Sequence, residues 1–252
     1  MIEFRGVWKS FGAEPVLSGV DLTVREGETL ALLGPSGTGK SVLLKHAIRL
    51  LTPDRGDILV DGVSIPSATG GQIKAVRRRV GYVFQNAALF DSLTVFGNLA
   101  LALDDEDGHR PLSSLRPEAA ELLRRVNLDH AVLNLYPGEL SGGMRKRVGI
   151  ARAIASRPRY VLYDEPTTGL DPVNADIIDA LIVELARDLG VTSIVVTHDL
   201  ESAFQVGDRV ALLTEGTIRA CAAPEEILAS EDPVVQRFMH RRFGTAESTP
   251  PA

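Results

Sequence analysis

Apolar and polar positions divide the chain into two kinds of segment before any motif is considered. Residues 2–8, Ile-Glu-Phe-Arg-Gly-Val-Trp, alternate well enough to predict a strand, and residues 20–24 repeat the pattern ahead of Glu26-Gly27-Glu28. Thr29-Leu30-Ala31-Leu32-Leu33 is a denser run, the mark of a strand buried on both faces of a parallel sheet. It runs straight into glycines, after which residues 41–51 are helix-compatible up to Pro53. Ile58-Leu59-Val60 followed by Asp61-Gly62 signals a hairpin, so the front of the chain should carry a small antiparallel sheet beside the parallel one.

From residue 93 to about 132 the apolar spacing turns helical, broken by the acidic segment 104–108 and by Pro111. This predicts a helical subdomain inserted into an α/β core, with the acidic run as a solvated loop. Buried-strand patterns return at Tyr160-Val161-Leu162-Tyr163 and Ser193-Ile194-Val195-Val196, and residues 176–189 between them have helical spacing that ends at Gly190. Strand, helix and strand in that order predict a parallel crossover. Residues 210–218 read as a closing hairpin and 233–243 as a short helix with Val234, Val235, Phe238 and Met239 on one side, whereas 244–252 reads as disordered. The expected organisation is one domain over 1–243, with its core at about 1–90 and 145–225 and the helical subdomain at about 91–144.

Composition narrows the function classes. Hydrophobic residues make up 44% of the 252, and no apolar run approaches the roughly 20 residues of a membrane-spanning helix. The expectation is a chain that stays in the cytoplasm or reaches a membrane by holding on to something embedded in it. A single cysteine, Cys221, excludes an internal disulfide, and the net charge of -6 argues against a nucleic-acid coat.

Chemistry enters at Gly34-Pro35-Ser36-Gly37-Thr38-Gly39-Lys40-Ser41, which fits G-x-x-x-x-G-K-[ST] between a predicted strand and a predicted helix. Such a loop turns backbone N–H groups toward phosphate oxygens, so ATP is the expected ligand; Lys40 bridges the β- and γ-phosphates, and Ser41 offers a hydroxyl to Mg²⁺. The fold class expected is an α/β P-loop NTPase core with a mostly parallel sheet, a small antiparallel β subdomain and an inserted helical subdomain. Binding alone is not hydrolysis. Asp164 and Glu165 follow the strand residues 160–163, at the sheet end where open α/β folds place ligands. Asp164 is the expected Mg²⁺ partner and Glu165 the residue that polarises the attacking water. His198 ends the next strand on the same edge, where a neutral imidazole donates to the γ-phosphate. Ser141-Gly142-Gly143 stands before another helical stretch, either as a plain helix cap or as a second phosphate site shared across a head-to-tail pair of chains.

In combination, residues 34–41, Gln85, Leu140-Ser141-Gly142-Gly143, residues 160–165, Gly169-Leu170-Asp171 and His198 resemble the nucleotide-binding subunit of ATP-binding-cassette transporters over about residues 1–225. The resemblance implies that Ser141-Gly142-Gly143 reaches the γ-phosphate of a second copy. It also implies that Gln85 touches Mg²⁺ and senses a transmembrane partner, and that Asp171 couples the two sites. Phe11 matches the aromatic that stacks on adenine, with core packing as its rival. Val42 stands where threonine is frequent, and Met144 where glutamine is common. Residues 39–45, 84–95 (Phe-Gln-Asn-Ala-Ala-Leu-Phe-Asp-Ser-Leu-Thr-Val), 140–148 and 163–172 look closest to the ATPase of Mla-type lipid transporters, and 84–95 is the most useful of these stretches. That likeness implies an MlaE-like permease docked near Gln85 to Val95, MCE-domain (MlaD-like) and STAS-domain (MlaB-like) subunits, a lipid substrate, and a place on the cytoplasmic face of a bacterial inner membrane. The alternatives are another importer or exporter, for amino acids, metals or drugs, or a module acting on DNA or ribosomes.

Overall fold

Two sheets organise the computed structural model, which describes residues 1–104 and 110–243. The smaller is antiparallel, in the order β2 (Glu14–Val24), β1 (Ile2–Phe11), β4 (Arg55–Val60), β5 (Val63–Ser64). Asp61 and Gly62 take φ of 51° and 78° and pair Val60 with Val63, the two-residue left-handed turn that an Asp-Gly dipeptide favours. Strand β2 begins at Glu14, earlier than its apolar pattern at 20–24 indicates, because the β1 backbone supplies partners as far as Phe11 opposite Glu14.

The larger sheet has the order β10 (Thr217–Ala222), β9 (Arg209–Thr214), β3 (Thr29–Leu33), β8 (Thr192–Thr197), β7 (Tyr160–Asp164), β6 (Val80–Val83). All its neighbours are parallel except the β9–β10 hairpin. Residue parity shows why dense apolar runs form its centre. Leu30, Leu32, Leu162, Ile194 and Val196 join the core shared with the antiparallel sheet, whereas Ala31, Leu33, Val161, Tyr163 and Val195 join the core under the helices. Each strand is therefore covered on both faces, which removes any need for polar alternation.

Helix α1 (Lys40–His46) follows β3, and α2 (Gly70–Arg78) is opened by Thr69, which forms a reciprocal capping box with Gln72. The inserted helical part comprises α3 (Val95–Leu103), α4 (Leu112–Arg125) and 3-10 turns at His130–Asn134 and Pro137–Glu139. Then come α5 (Gly142–Ile154), α6 (Pro172–Leu189), α7 (Leu200–Val206), α8 (Pro224–Leu228) and α9 (Pro233–Phe243). No described helix is long and apolar enough to cross a membrane.

The crossover β7–α6–β8, the closing hairpin and α9 all form, with α6 starting earlier than its pattern. On α9, Val235 and Met239 are buried at 1% and 8% exposure. The expected helix over 41–51 stops at His46, because the chain tightens into i+3 bonds and enters the left-handed region at Arg49, φ 50°, whose guanidinium is held by the Ala68 carbonyl. Helix α6 begins earlier than residue 176, since Asp171 caps it and Pro172 opens it. Of the expected acidic loop at 104–108, residues 105–108 lie outside the described residues, and so does the tail 244–252.

Candidate active site

The loop after β3 wraps around its own lysine. Gly39, at φ 96°, sits in a backbone region that L side chains rarely adopt, and a Cβ there would lie 2.8 Å from Val16 Cγ1. Lys40 begins α1 at 4% exposure, with Nζ donating to the carbonyls of Gly34 (2.8 Å) and Pro35 (2.9 Å) and 3.7 Å from Glu165 Oε1. An ammonium taken this far from water needs such partners. Thr38 Oγ1 closes the loop onto Pro35 O at 2.9 Å, while Ser36 and Gly37 stand exposed at the cavity wall.

Register in the sheet brings the acids to the loop. Asp164 ends β7 opposite Val196 of β8, so Glu165 and His198 emerge from neighbouring strand ends. Ser41 Oγ donates to Asp164 Oδ1, and Tyr82 OH donates to Asp164 Oδ2 at 3.0 Å. Burial first, and the Asp164 carboxylate second, hold the Tyr82 phenol well above its ordinary range, so it remains a donor.

Glu165 has φ 51°, costly for a residue with a side chain, and its N–H donates to Val196 O at 3.0 Å. Its carboxylate is aimed by two groups: Thr168 Oγ1 donates to Oε2 at 2.9 Å, and His198 Nδ1 lies 2.7 Å from the same oxygen. A carboxylate oxygen only accepts, so Nδ1 carries the proton, and a neutral His198 then presents only an acceptor at Nε2.

Ser36, Gly37, Gly39, Lys40, Ser41, Glu165, Thr168 and His198 line one cavity of about 460 Å³ together with Phe11, Val16, Val42 and Gln85, and Asp164 adjoins it through its bond to Ser41. Phe11, at the tip of the β1–β2 hairpin, is 49% exposed, so core packing does not explain it. Gln85, just after β6, is exposed and lines the same cavity.

Ser141, Gly142, Gly143 and Asp171 do not line this cavity. Ser141 caps α5, its Oγ accepting from Met144 N at 3.2 Å. Asp171 caps α6, accepting from Asn174 N (3.1 Å) and Asn174 Nδ2 (2.6 Å), and those bonds hold its carboxyl below the usual range. The two caps abut, since a Cβ on Gly143 would lie 2.8 Å from Asn174 Oδ1. Hence the second glycine cluster is separate from the first within one chain.

Thr168, Val16 and Tyr82 join the site without having been singled out from sequence. Thr168 had a signal in its spacing, three residues after Glu165 within a turn. Val16 and Tyr82 had none, because only the sheet pairing brings them near.

The residues present fit Mg²⁺ and a nucleotide. Ser41 Oγ and the Asp164 carboxylate are adjacent hard oxygen donors, the set Mg²⁺ takes alongside phosphate and water. The buried ammonium of Lys40 and the exposed ring of Phe11 stand on the same cavity, which suits a polyphosphate joined to a flat base.

Residues 17–168 match the family model described as ABC transporter. The chain is 39% identical over 244 residues to the probable ribonucleotide transport ATP-binding protein mkl of Mycobacterium tuberculosis, covering 96% of this chain and 67% of that protein. It is 40% identical over 253 residues to the methionine import ATP-binding protein MetN of Caulobacter vibrioides, covering 99% and 75%. It is 43% identical over 235 residues to the sulfate/thiosulfate import ATP-binding protein CysA of the same organism, covering 90% and 66%. It thus spans about two thirds to three quarters of the length of these relatives. Among solved structures, a dimeric ATP-binding cassette in a post-hydrolysis state with ADP and phosphate superposes with TM-score 0.81 at 33% identity, covering 89% of this chain and 99% of that one. The cbiO1 protein of Clostridium perfringens, part of an ABC transporter complex, gives 0.80 at 29% identity, covering 96% and 95%.

Proposed function

This chain belongs to the ABC transporter family and is one of its ATPases, and from that membership we propose that the cavity between Lys40 and Glu165 is where ATP is bound and hydrolysed. The observation that carries the site assignment is the Glu165 carboxylate, aimed by Thr168 and His198 beside the buried Lys40 ammonium. Lys40 exchanges its loop carbonyls for phosphate oxygens and neutralises their charge as the terminal phosphoryl group transfers. Glu165 orients a water for in-line attack and accepts its proton, and the left-handed turn at Glu165 sets where that carboxylate points. Ser41 and Asp164 are the residues to hold Mg²⁺, which supplies charge neutralisation to the phosphates when bound. Phe11 offers a stacking face to the base.

The dimeric relatives support a head-to-tail pair. In that assembly Ser141, Gly142 and Gly143 of one copy complete the cavity of the other, with Asp171 at the seam beside them, and Gln85 reports the state of the site to a permease. The exposed Phe90 (55%) and Leu101 (59%) border a groove of about 590 Å³ beside Gly81 and Arg152, which supports docking of a permease helix near residues 85–95. Leu89 packs against the core while Phe90 faces out.

For the transported substrate, the relatives named above favour an importer of a small solute over lipid. Transport of a phospholipid with MlaE-, MlaD- and MlaB-like subunits is the second reading, and it is supported by sequence resemblance, most usefully over residues 84–95. Purification from native membranes decides between them: a solute permease supports the first, and a lipid-loaded permease with an MCE-domain subunit supports the second. Glu165→Gln tests the site. ATP should stay bound while phosphate release falls by about a hundredfold or more. Wild-type turnover in that variant refutes the assignment.

A further inference from the structure

Lys146 lies on α5, five residues beyond its Ser141 cap, at 7% exposure. It lines no part of the cavity. Its ammonium nevertheless reaches two backbone carbonyls that belong to the site. Nζ donates to Gln85 O and, at 3.4 Å, to Glu165 O. One side chain thus ties together the segment leading to the inserted helices, the catalytic carboxylate's own peptide, and the helix that starts at Ser141.

The surroundings show why such a tie is needed. Glu165, Ala87 and Ala88 all have left-handed backbones, with φ of 51°, 58° and 49°. Conformations of this kind persist only where neighbouring groups over-determine them. Helix α5 supplies those groups along one face. Arg152 donates to Ala88 O at 2.7 Å and to Ala87 O at 3.0 Å. Between the two cations, Gly149 lets the loop approach, for a Cβ there would stand 3.0 Å from the Ala87 Cβ. Lys146 differs from Arg152 in also holding Glu165. Burial lowers its affinity for a proton and the nearby Glu165 charge restores some of it, so its environment is one that water does not share.

We propose that Lys146 is a positioning residue for hydrolysis, fixing the Gln85 and Glu165 main chain to α5 so that the Glu165 carboxylate is aimed only when that helix is in place. The proposal rests on the assignment of Glu165 given above. It predicts a defect in turnover rather than in nucleotide binding, since Lys146 touches neither the phosphate loop nor the Phe11 wall. A misplaced carboxylate costs on the order of tenfold to a hundredfold in rate.

The test uses the full chain with Mg-ATP. Initial rates of phosphate release, equilibrium ATP binding and thermal melting are measured for wild type, Lys146→Met, Lys146→Arg and Glu165→Gln. The expected result for Lys146→Met is kcat lower by about tenfold or more, with KM and ATP affinity within about threefold. Lys146→Arg, which keeps N–H donors and charge, should recover most of that loss. Turnover of Lys146→Met within threefold of wild type overturns the proposal, as does parallel loss of ATP binding, or equal loss in the Met and Arg variants. Should the Met variant fail to fold, Lys146→Gln replaces it under the same thresholds. Wild-type turnover by Glu165→Gln overturns the underlying site assignment instead, so the two failures are told apart.

Discussion

Asn98 is a fully buried amide that fastens the segment proposed to meet the permease. Its Oδ1 accepts from Phe90 N at 2.8 Å, and its Nδ2 lies 3.1, 3.3 and 3.0 Å from the carbonyls of Phe90, Leu93 and Thr94. An amide nitrogen carries two hydrogens, so three carbonyls share them, and the effective count is nearer three bonds than four. At about 1 kcal/mol net for each bond, Asn98→Leu should cost about 3 kcal/mol. The cost should stay below the full penalty for stranded polar groups, because the bonds to Phe90, Leu93 and Thr94 are only partly buried. For a chain of this size about 3 kcal/mol lowers the melting temperature by roughly 6 to 12 °C. Asn98→Asp should be worse than Asn98→Leu, since its second oxygen would face three carbonyls in a buried site. Differential scanning fluorimetry of the three proteins measures both effects. A shift below about 2 °C for the leucine variant, or an aspartate variant more stable than the leucine one, would refute the reasoning.

Two glycines of the phosphate loop should fail for different reasons. A Cβ on Gly34 would lie 2.2 Å from the Leu213 carbonyl oxygen of β9, a backbone clash that neither strand can relieve cheaply, whereas one on Gly37 meets nothing within 4 Å and only strains a φ of +83°. Gly34→Ala should therefore melt several degrees below Gly37→Ala and bind ATP less tightly, and equal melting temperatures would count against the close contact. Asp179 of α6 gives a pH signature. Burial, and after it the Asp199 and Asp176 charges, push its pKa up to about 6 from 3.8, against the pull of the Ser202 hydroxyl at 2.8 Å. The folded state then binds more protons between those values, so stability owed to this group is greatest below about pH 4 and is lost as pH rises through about 6. Asp179→Asn should raise the melting temperature at pH 8 and leave it nearly unchanged at pH 4; a gain of equal size at both would refute this.

How much of this was legible beforehand depended on whether a feature is local in the chain. Residues 29–41 carry strand, loop and helix in one run, so the phosphate loop could be read whole, and Asp164-Glu165 inherited its place from the apolar strand before it. Strand β6 escaped notice because Val80-Gly81-Tyr82-Val83 is short and broken by a glycine. That glycine answers to α5, since a Cβ on Gly81 would lie 2.3 Å from Ala153 O. Helices α2, α7 and α8 are nine, seven and five residues long, too short for periodicity to separate from loops. In the site, the groups that went unread act across the fold: Tyr82 on Asp164, Lys146 on Gln85 and Glu165, Arg152 on Ala87 and Ala88. Two of these pairings run from a cation to a carbonyl, and every residue has a carbonyl, so the partner leaves no mark in sequence. The groups proposed to touch nucleotide are therefore mostly readable by type and spacing, while those that hold them in position become visible only once α5 is packed against the loop it fastens.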